Sequence, residues 1–151
     1  DKMTAPRYQD IGPARIPVVH PAAGVEVKVI AGELAGATGP VEGIVTAPVY
    51  LDVSLQPGAS LTLDLPNGHH GFAYVFEGES ALVGGESLRR SELGVLSEGE
   101  QLQLLGGDKP SRLLVVAGKP LNESVARYGP FVMNTPEQIH EAIADFRAGK
   151  F

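Results

Sequence analysis

The amino-acid sequence predicts an all-β domain, built as a sandwich, jelly roll or small barrel, followed by one C-terminal α-helix. Three observations carry that prediction. Short runs alternate apolar and polar residues at period two, the pattern of half-buried strands. Turn formers, among 19 Gly and 12 Pro, fall between those runs instead of gathering in a linker. Near the C-terminus, one segment changes to the periodicity of an amphipathic helix.

Taken in order, Val25, Val27 and Val29 alternate with Glu26 and Lys28 to form the first clear strand. Val49, Leu51, Val53 and Leu55 alternate with Tyr50, Asp52 and Ser54, and Leu61, Leu63 and Leu65 with Thr62 and Asp64. Pro57-Gly58 separates these two runs, and Pro66-Asn67-Gly68 closes the second. Phe72 to Phe76 and Leu113 to Ala117 are almost continuously apolar, so they read as strands covered on both faces. Phe72, Tyr74 and Phe76 share one strand face by parity, and core packing is the plainer expectation for them than a stacking platform for a ligand. Gly84-Gly85 reads as a hairpin turn, and Leu102 and Leu104 alternate with Gln101 and Gln103. Thr135-Pro136-Glu137-Gln138 is a helix start, with Thr as N-cap, Pro at the first helical position and Gln closing a capping box. Ile139, Ala142, Ile143 and Phe146 follow as one apolar stripe, to be docked on this domain's own sheet or on a neighbour. Gly149 ends the helix, with Arg147 and Lys150 near its negative end.

Composition removes several classes of function. A chain of 151 residues is long enough for one domain with a real core. Without Cys it has no disulfide framework, no thiol catalysis and no cysteine-held zinc or iron–sulfur centre. A net charge of −6, with Arg89-Arg90 as the only adjacent basic pair, gives no expectation of direct nucleic-acid binding. No run approaches the ~20 apolar residues that span a bilayer, and no membrane association is expected. The chain opens on Asp1 with no apolar leader, so it reads as a trimmed chain or a segment of a longer one, with the cytoplasm as its expected location.

Two stretches carry a family resemblance. Tyr128-Gly129-Pro130-Phe131-Val132-Met133-Asn134-Thr135-Pro136-Glu137-Gln138-Ile139, continuing through Ala142 to Phe146 and Gly149-Lys150-Phe151, resembles the C-terminal signature of the pirin family. Gly71-Phe72-Ala73-Tyr74-Val75-Phe76-Glu77-Gly78 is similar to a cupin strand that ends in a Glu-Gly turn, and Pro6-Arg7-Tyr8-Gln9-Asp10-Ile11 resembles the linker into the second half of a pirin. One departure stands out: Asn122-Glu123-Ser124 follows Pro120-Leu121 where the family usually has a Glu-Pro pair. The resemblance implies a cupin (jelly-roll β-barrel) with a trailing helix, one half of a bicupin. The expected layout is a single pirin-like C-terminal cupin domain over 1–151, with an N-terminal linker over 1–15, the barrel over 16–127 and the helix over 135–148.

In that family the resemblance places the catalytic metal in the first cupin, held by three His and one Glu. The motif does not transfer to this chain. Setting its final Gly on Gly78 puts Gly71 where the Glu belongs. Setting it on Gly84 puts Glu77 there, but leaves only His70 in the place of the His pair. No His lies between Glu92 and Gly107 for the second motif. Neighbouring His69 and His70 also cannot both enter one barrel interior, because successive strand side chains point to opposite faces. No catalytic, cofactor-binding or metal residue is therefore assigned. His69, His70, Tyr74 and Glu77 remain as pocket or rim candidates, and exposed rim positions after the Pro66-Asn67-Gly68 turn are the plainer reading of the two His. His20, before Pro21, reads as a strand-end or loop residue, His140 as a solvated helix residue, and Glu77 and Glu79 as solvated turn carboxylates in preference to an acid–base pair.

Two functions follow as expectations. The first is a non-catalytic, metal-free module that packs against a protein partner or forms a homodimer. The alternative is a small-ligand binder, or a quercetin dioxygenase-like cupin enzyme using iron or another divalent metal in its barrel cavity. The resemblance also associates bacterial pirins with quercetin-type dioxygenase activity and the binding of metabolic enzymes, and animal pirins with transcriptional regulation. Those roles attach to the whole bicupin.

Overall fold

The computed structural model describes residues 2–150; Asp1 and Phe151, the last residue of the C-terminal signature, lie outside the described residues. Two compact units make up the chain, a barrel over Gln9–Pro120 and a smaller unit formed by 2–8 with 121–150.

The barrel is a two-sheet jelly roll, the architecture that the resemblance implies. Its larger sheet runs β1 (Val18–Val19), β2 (Val25–Ala31), β5 (Val49–Leu55), β12 (Ser111–Gly118), β7 (His70–Glu77) and β10 (Leu93–Val95). The smaller sheet runs β6 (Ser60–Asp64), β11 (Gln101–Gly106), β8 (Ser80–Val83) and β9 (Glu86–Arg89). A short hairpin, β3 (Glu33–Leu34) with β4 (Ala37–Thr38), leaves the end of β2. All the strand ladders are antiparallel.

Alternation builds the core as the sequence predicts. Val25, Val27 and Val29, Val49 to Leu55 by twos, and Leu113, Val115 and Ala117 line one wall, facing Leu61, Leu63, Ala81, Val83, Leu102 and Leu104 from the other sheet. Each fully buried Val or Leu contributes about 1.5–3 kcal/mol relative to leaving it in water. The β8–β9 hairpin turns at Gly84-Gly85, both with positive φ, as a type I′ turn requires.

One expectation is corrected. Phe72, Tyr74 and Phe76 do not enter the core; Ala73 and Val75 do, at 0% exposure. In the β7–β12 register Ala73 opposes Val115 and Tyr74 opposes Leu114, so the small residues face the narrow interior and the aromatics stand on the outer face. Both faces of this strand are apolar, and alternation could not choose between them. A β-bulge then shifts the register between Arg112 and Leu113, so that Arg112 opposes Glu77 while Leu113 opposes Val75. Phe76 is the extra residue.

In the smaller unit, β13 (Ala126–Tyr128) pairs with β14 (Phe131–Met133), and α1 (Pro136–Arg147) packs on that hairpin. The cap forms as its sequence dictates: the Gln138 amide N–H donates to Thr135 Oγ1 at 3.3 Å, and the Gln138 side-chain oxygen accepts from the Thr135 amide at 3.2 Å. Ile139 and Ala142 are buried, but Phe146, the last residue of the stripe, is 64% exposed and touches Phe131 edge-on at 6.0 Å. Lys150 reaches Asp145 at 2.6 Å, and Gly149 supplies the positive φ that ends the helix. Among the described residues, no helix is long and apolar enough to cross a membrane.

Candidate functional site

A cupin carries its chemistry inside the barrel, so the interior is the first place to look. Here it is lined by aliphatic side chains from both sheets. Ser111 is the polar exception on this wall: it is 4% exposed and its hydroxyl makes no hydrogen bond. A single neutral hydroxyl cannot hold a divalent metal, which needs several imidazole or carboxylate donors. At one end of the barrel a cavity of about 450 Å³ reaches Leu51 and Leu63 and carries the carboxylates of Glu33, Glu42 and Asp64, but no histidine. No group of three or more His, Asp or Glu among the described residues is placed to hold a metal. The described residues of this barrel therefore do not fit the set of three His and one Glu that the resemblance places in the family's first cupin.

The four candidate residues do not converge. His70 begins β7 and Glu77 ends it, a separation of about 23 Å at the usual rise per residue. His69 is structural. Its Nε2 donates to the Ala47 carbonyl at 2.9 Å, tying the turn before β7 to the turn before β5, while its Nδ1 is buried without a partner. His70 is exposed at the strand end, and Tyr74 stands on the outer face of the larger sheet. Glu77 lies 3.5 Å from Arg112, whereas Glu79 pairs with Lys109, so these two carboxylates turn to different cations and form no acid–base pair. His20 sits 3.5 Å from Glu26 at the surface, and His140 is exposed on α1.

The strongest polar constellation was not visible in the sequence. On the outer face, Arg112 donates through Nε to Asp52 Oδ1 at 2.7 Å and through Nη2 to Asp52 Oδ2 at 2.5 Å. Its guanidinium also lies 5.0 Å from the centre of the Phe76 ring. Asp52 is 8% exposed, and its bonds hold Arg112 in the cationic form by raising a pKa that is already high. The bulge at Phe76 makes this possible, because it turns Phe76 and Glu77 toward the same guanidinium. Cross-strand partners are not marked by any local motif, so only the register reveals the group.

The smaller unit has its own groove, of about 1120 Å³, between α1 and β13. Ile139 and Ile143 form its apolar floor, and Arg127, His140 and Arg147 stand along it. Asn134 anchors one end by donating to Glu123 at 3.0 Å and to the Ser124 carbonyl at 2.9 Å. The divergent Asn122 takes a positive φ of 54°, a conformation Asn tolerates better than most residues.

Comparison with known proteins agrees with this architecture. Residues 50–151 match the family model described as the pirin C-terminal cupin domain. The chain is 39% identical to human pirin, with 99% of this chain and 52% of that protein covered. It is 41% identical to a Pseudomonas aeruginosa protein whose name provisionally assigns quercetin 2,3-dioxygenase, with 99% and 54% covered. A crystal structure titled as a quercetin 2,3-dioxygenase from Acinetobacter baumannii superposes with a TM-score of 0.87 at 38% identity, covering 99% of this chain and 52% of that one. The chain thus spans about half the length of the curated relatives it matches. With this match, the cupin barrel and the trailing capped helix, the chain belongs to the pirin family and corresponds to its C-terminal cupin domain.

Proposed function

We propose that this chain is a non-catalytic, metal-free cupin module that works in the cytoplasm by packing against protein, as a homodimer or on a separate partner. The observation that carries this reading is the barrel interior, where aliphatic side chains fill the space in which a cupin enzyme keeps its metal donors. The core is well formed and the fold is intact, so the module keeps the scaffold while lacking the donors for the chemistry. The direct test is flavonol oxidation by the purified chain with iron, nickel or copper added. The reading expects no turnover above the metal alone, and turnover by this chain would overturn it.

The names of its relatives favour a second reading, in which the module takes part in quercetin 2,3-dioxygenase activity. The chain covers about half of each of those proteins, so on this reading the metal donors come from residues beyond this sequence. The same assay separates the two when this chain is mixed, with iron, with the remaining half of such a relative: turnover that appears only with this chain present favours the second reading, and none favours the first.

A further inference from the structure

The turn between β6 and β7 holds the one Asn-Gly pair of the sequence, Asn67-Gly68. The His69 amide closes this turn by donating to the Pro66 carbonyl at 3.1 Å, and Gly68 takes φ +75, as the third residue of a type II turn requires. Asn67 and Gly68 are both exposed, and a Cβ on Gly68 would meet nothing within 4 Å. Among the described residues, neither the Asn67 side chain nor the Gly68 amide nitrogen makes a hydrogen bond. The side-chain amide and the main-chain nitrogen that follows it are therefore both free to react.

We propose that Asn67 is a site of spontaneous deamidation through a cyclic imide. The Gly68 amide nitrogen gives up its proton to solvent base and attacks the Asn67 side-chain carbonyl carbon. A new C–N bond closes a five-membered ring, the bond to the side-chain nitrogen breaks, and ammonia leaves. Water then adds to one of the two ring carbonyls and opens the ring to aspartate or isoaspartate. The step is neither an oxidation nor a reduction, and it consumes only water. Ring closure needs the Asn67–Gly68 peptide to rotate, and a glycine in open space at a loop tip resists this least. The other two asparagines lack these features. The Asn134 side chain donates to Glu123 and to the Ser124 carbonyl, and the Thr135 amide that would attack it already donates to Gln138. Asn122 precedes Glu123, whose side chain hinders approach of the nitrogen as glycine does not. The change at Asn67 reaches the end of the barrel. Isoaspartate carries the main chain through the former side chain, adding a methylene two residues before His69, whose ring bonds the Ala47 carbonyl. Pro66 and Ala47 both line the cavity that carries Glu33, Glu42 and Asp64, so the new carboxylate adds negative charge one residue from that wall.

Ageing the purified full chain in mildly alkaline buffer, well below its melting temperature, tests this by ion-exchange chromatography and peptide mapping. An acidic species with one extra negative charge per chain should accumulate and map to Asn67, ahead of any change at Asn122 or Asn134. Its product should be a mixture of aspartate and isoaspartate, with isoaspartate the larger share, as opening of a ring requires. Asn67→Gln, which cannot close the five-membered ring, should abolish the species, and Gly68→Ala should lengthen its half-time severalfold; circular dichroism checks that both variants fold. In the aged fraction, NMR should find the His69 ring signals shifted and those of His20 and His140 unchanged. An intact Asn67 throughout the incubation would overturn the proposal, as would an acidic species that persists in Asn67→Gln or aspartate as the sole product. Unshifted His69 signals in the isoaspartate form would overturn the coupling to the Ala47 bond.

Discussion

Arg112 grips Asp52 with two nearly parallel hydrogen bonds, Nε to Oδ1 at 2.7 Å and Nη2 to Oδ2 at 2.5 Å, across the β5–β12 pair. This fork is planar and lies against Phe76, so a point charge cannot replace it. Asp52→Ala should cost about 1.5–3 kcal/mol by leaving a half-buried guanidinium without its main acceptor. Arg112→Lys should recover only part of the stability of Arg112→Ala. Urea denaturation of the three variants measures both effects; equal stability of Arg112→Lys and wild type would show that the fork geometry does not matter.

The core makes a contrast with the surface. Leu113 is 0% exposed at the middle of the larger sheet, whereas Leu105 on β11 is 38% exposed. Leu113→Ala should destabilise the barrel by about 2–5 kcal/mol through lost burial and a residual cavity. Leu105→Ala should fall within about 0.5 kcal/mol of wild type, as most surface changes do. Denaturant midpoints at matched slope decide the comparison.

Two glycines with positive φ separate strain from collision. Gly58 has φ +69 and open space around a would-be Cβ, so Gly58→Ala should cost about 1–2 kcal/mol from left-handed backbone alone. Gly78 has φ +88, and a Cβ there would sit 2.3 Å from the Pro110 carbonyl oxygen. Gly78→Ala should therefore cost clearly more, since backbone must move to admit it. Thermal melts of the two variants should rank them in that order.

Much of this architecture was legible in the residues. The capping box at Thr135 and Gln138, the Gly84-Gly85 turn and the inward valines of β2 each rest on local rules of spacing or φ, and each formed as those rules require. The orientation of β7 was not legible, because a strand apolar on both faces gives parity nothing to select. The bulge at Phe76 and the Asp52–Arg112 fork depend on which strands become neighbours, and residues 60 positions apart in sequence leave no local trace of that. For the site, spacing set the His residues apart from the donor motif that the resemblance places in the first cupin. It could not reveal that His69 is occupied in bonding the Ala47 carbonyl.

The first turn of α1 gives a pH prediction. Backbone amide donation at the helix start, aided by the Thr135 side chain, holds the Glu137 carboxyl below its usual range. A lowered folded-state value means its contribution is complete above the unfolded-state pKa and fades as pH falls through the folded one. Carboxyl titration by NMR should find Glu137 below an ordinary glutamate, and Thr135→Ala should move it part of the way back. An unaltered Glu137 titration in that variant would remove the Thr135 hydroxyl from the account.

The central claim is that this barrel keeps the cupin scaffold without the donors for a metal. Equilibrium dialysis of the purified chain against ferrous iron, nickel and copper, with metal read by mass spectrometry, tests it most directly. The account predicts no stoichiometric uptake, and no difference between wild type and the His69→Ala and His70→Ala variants. Uptake of one metal per chain, lost on substituting either histidine, would contradict it.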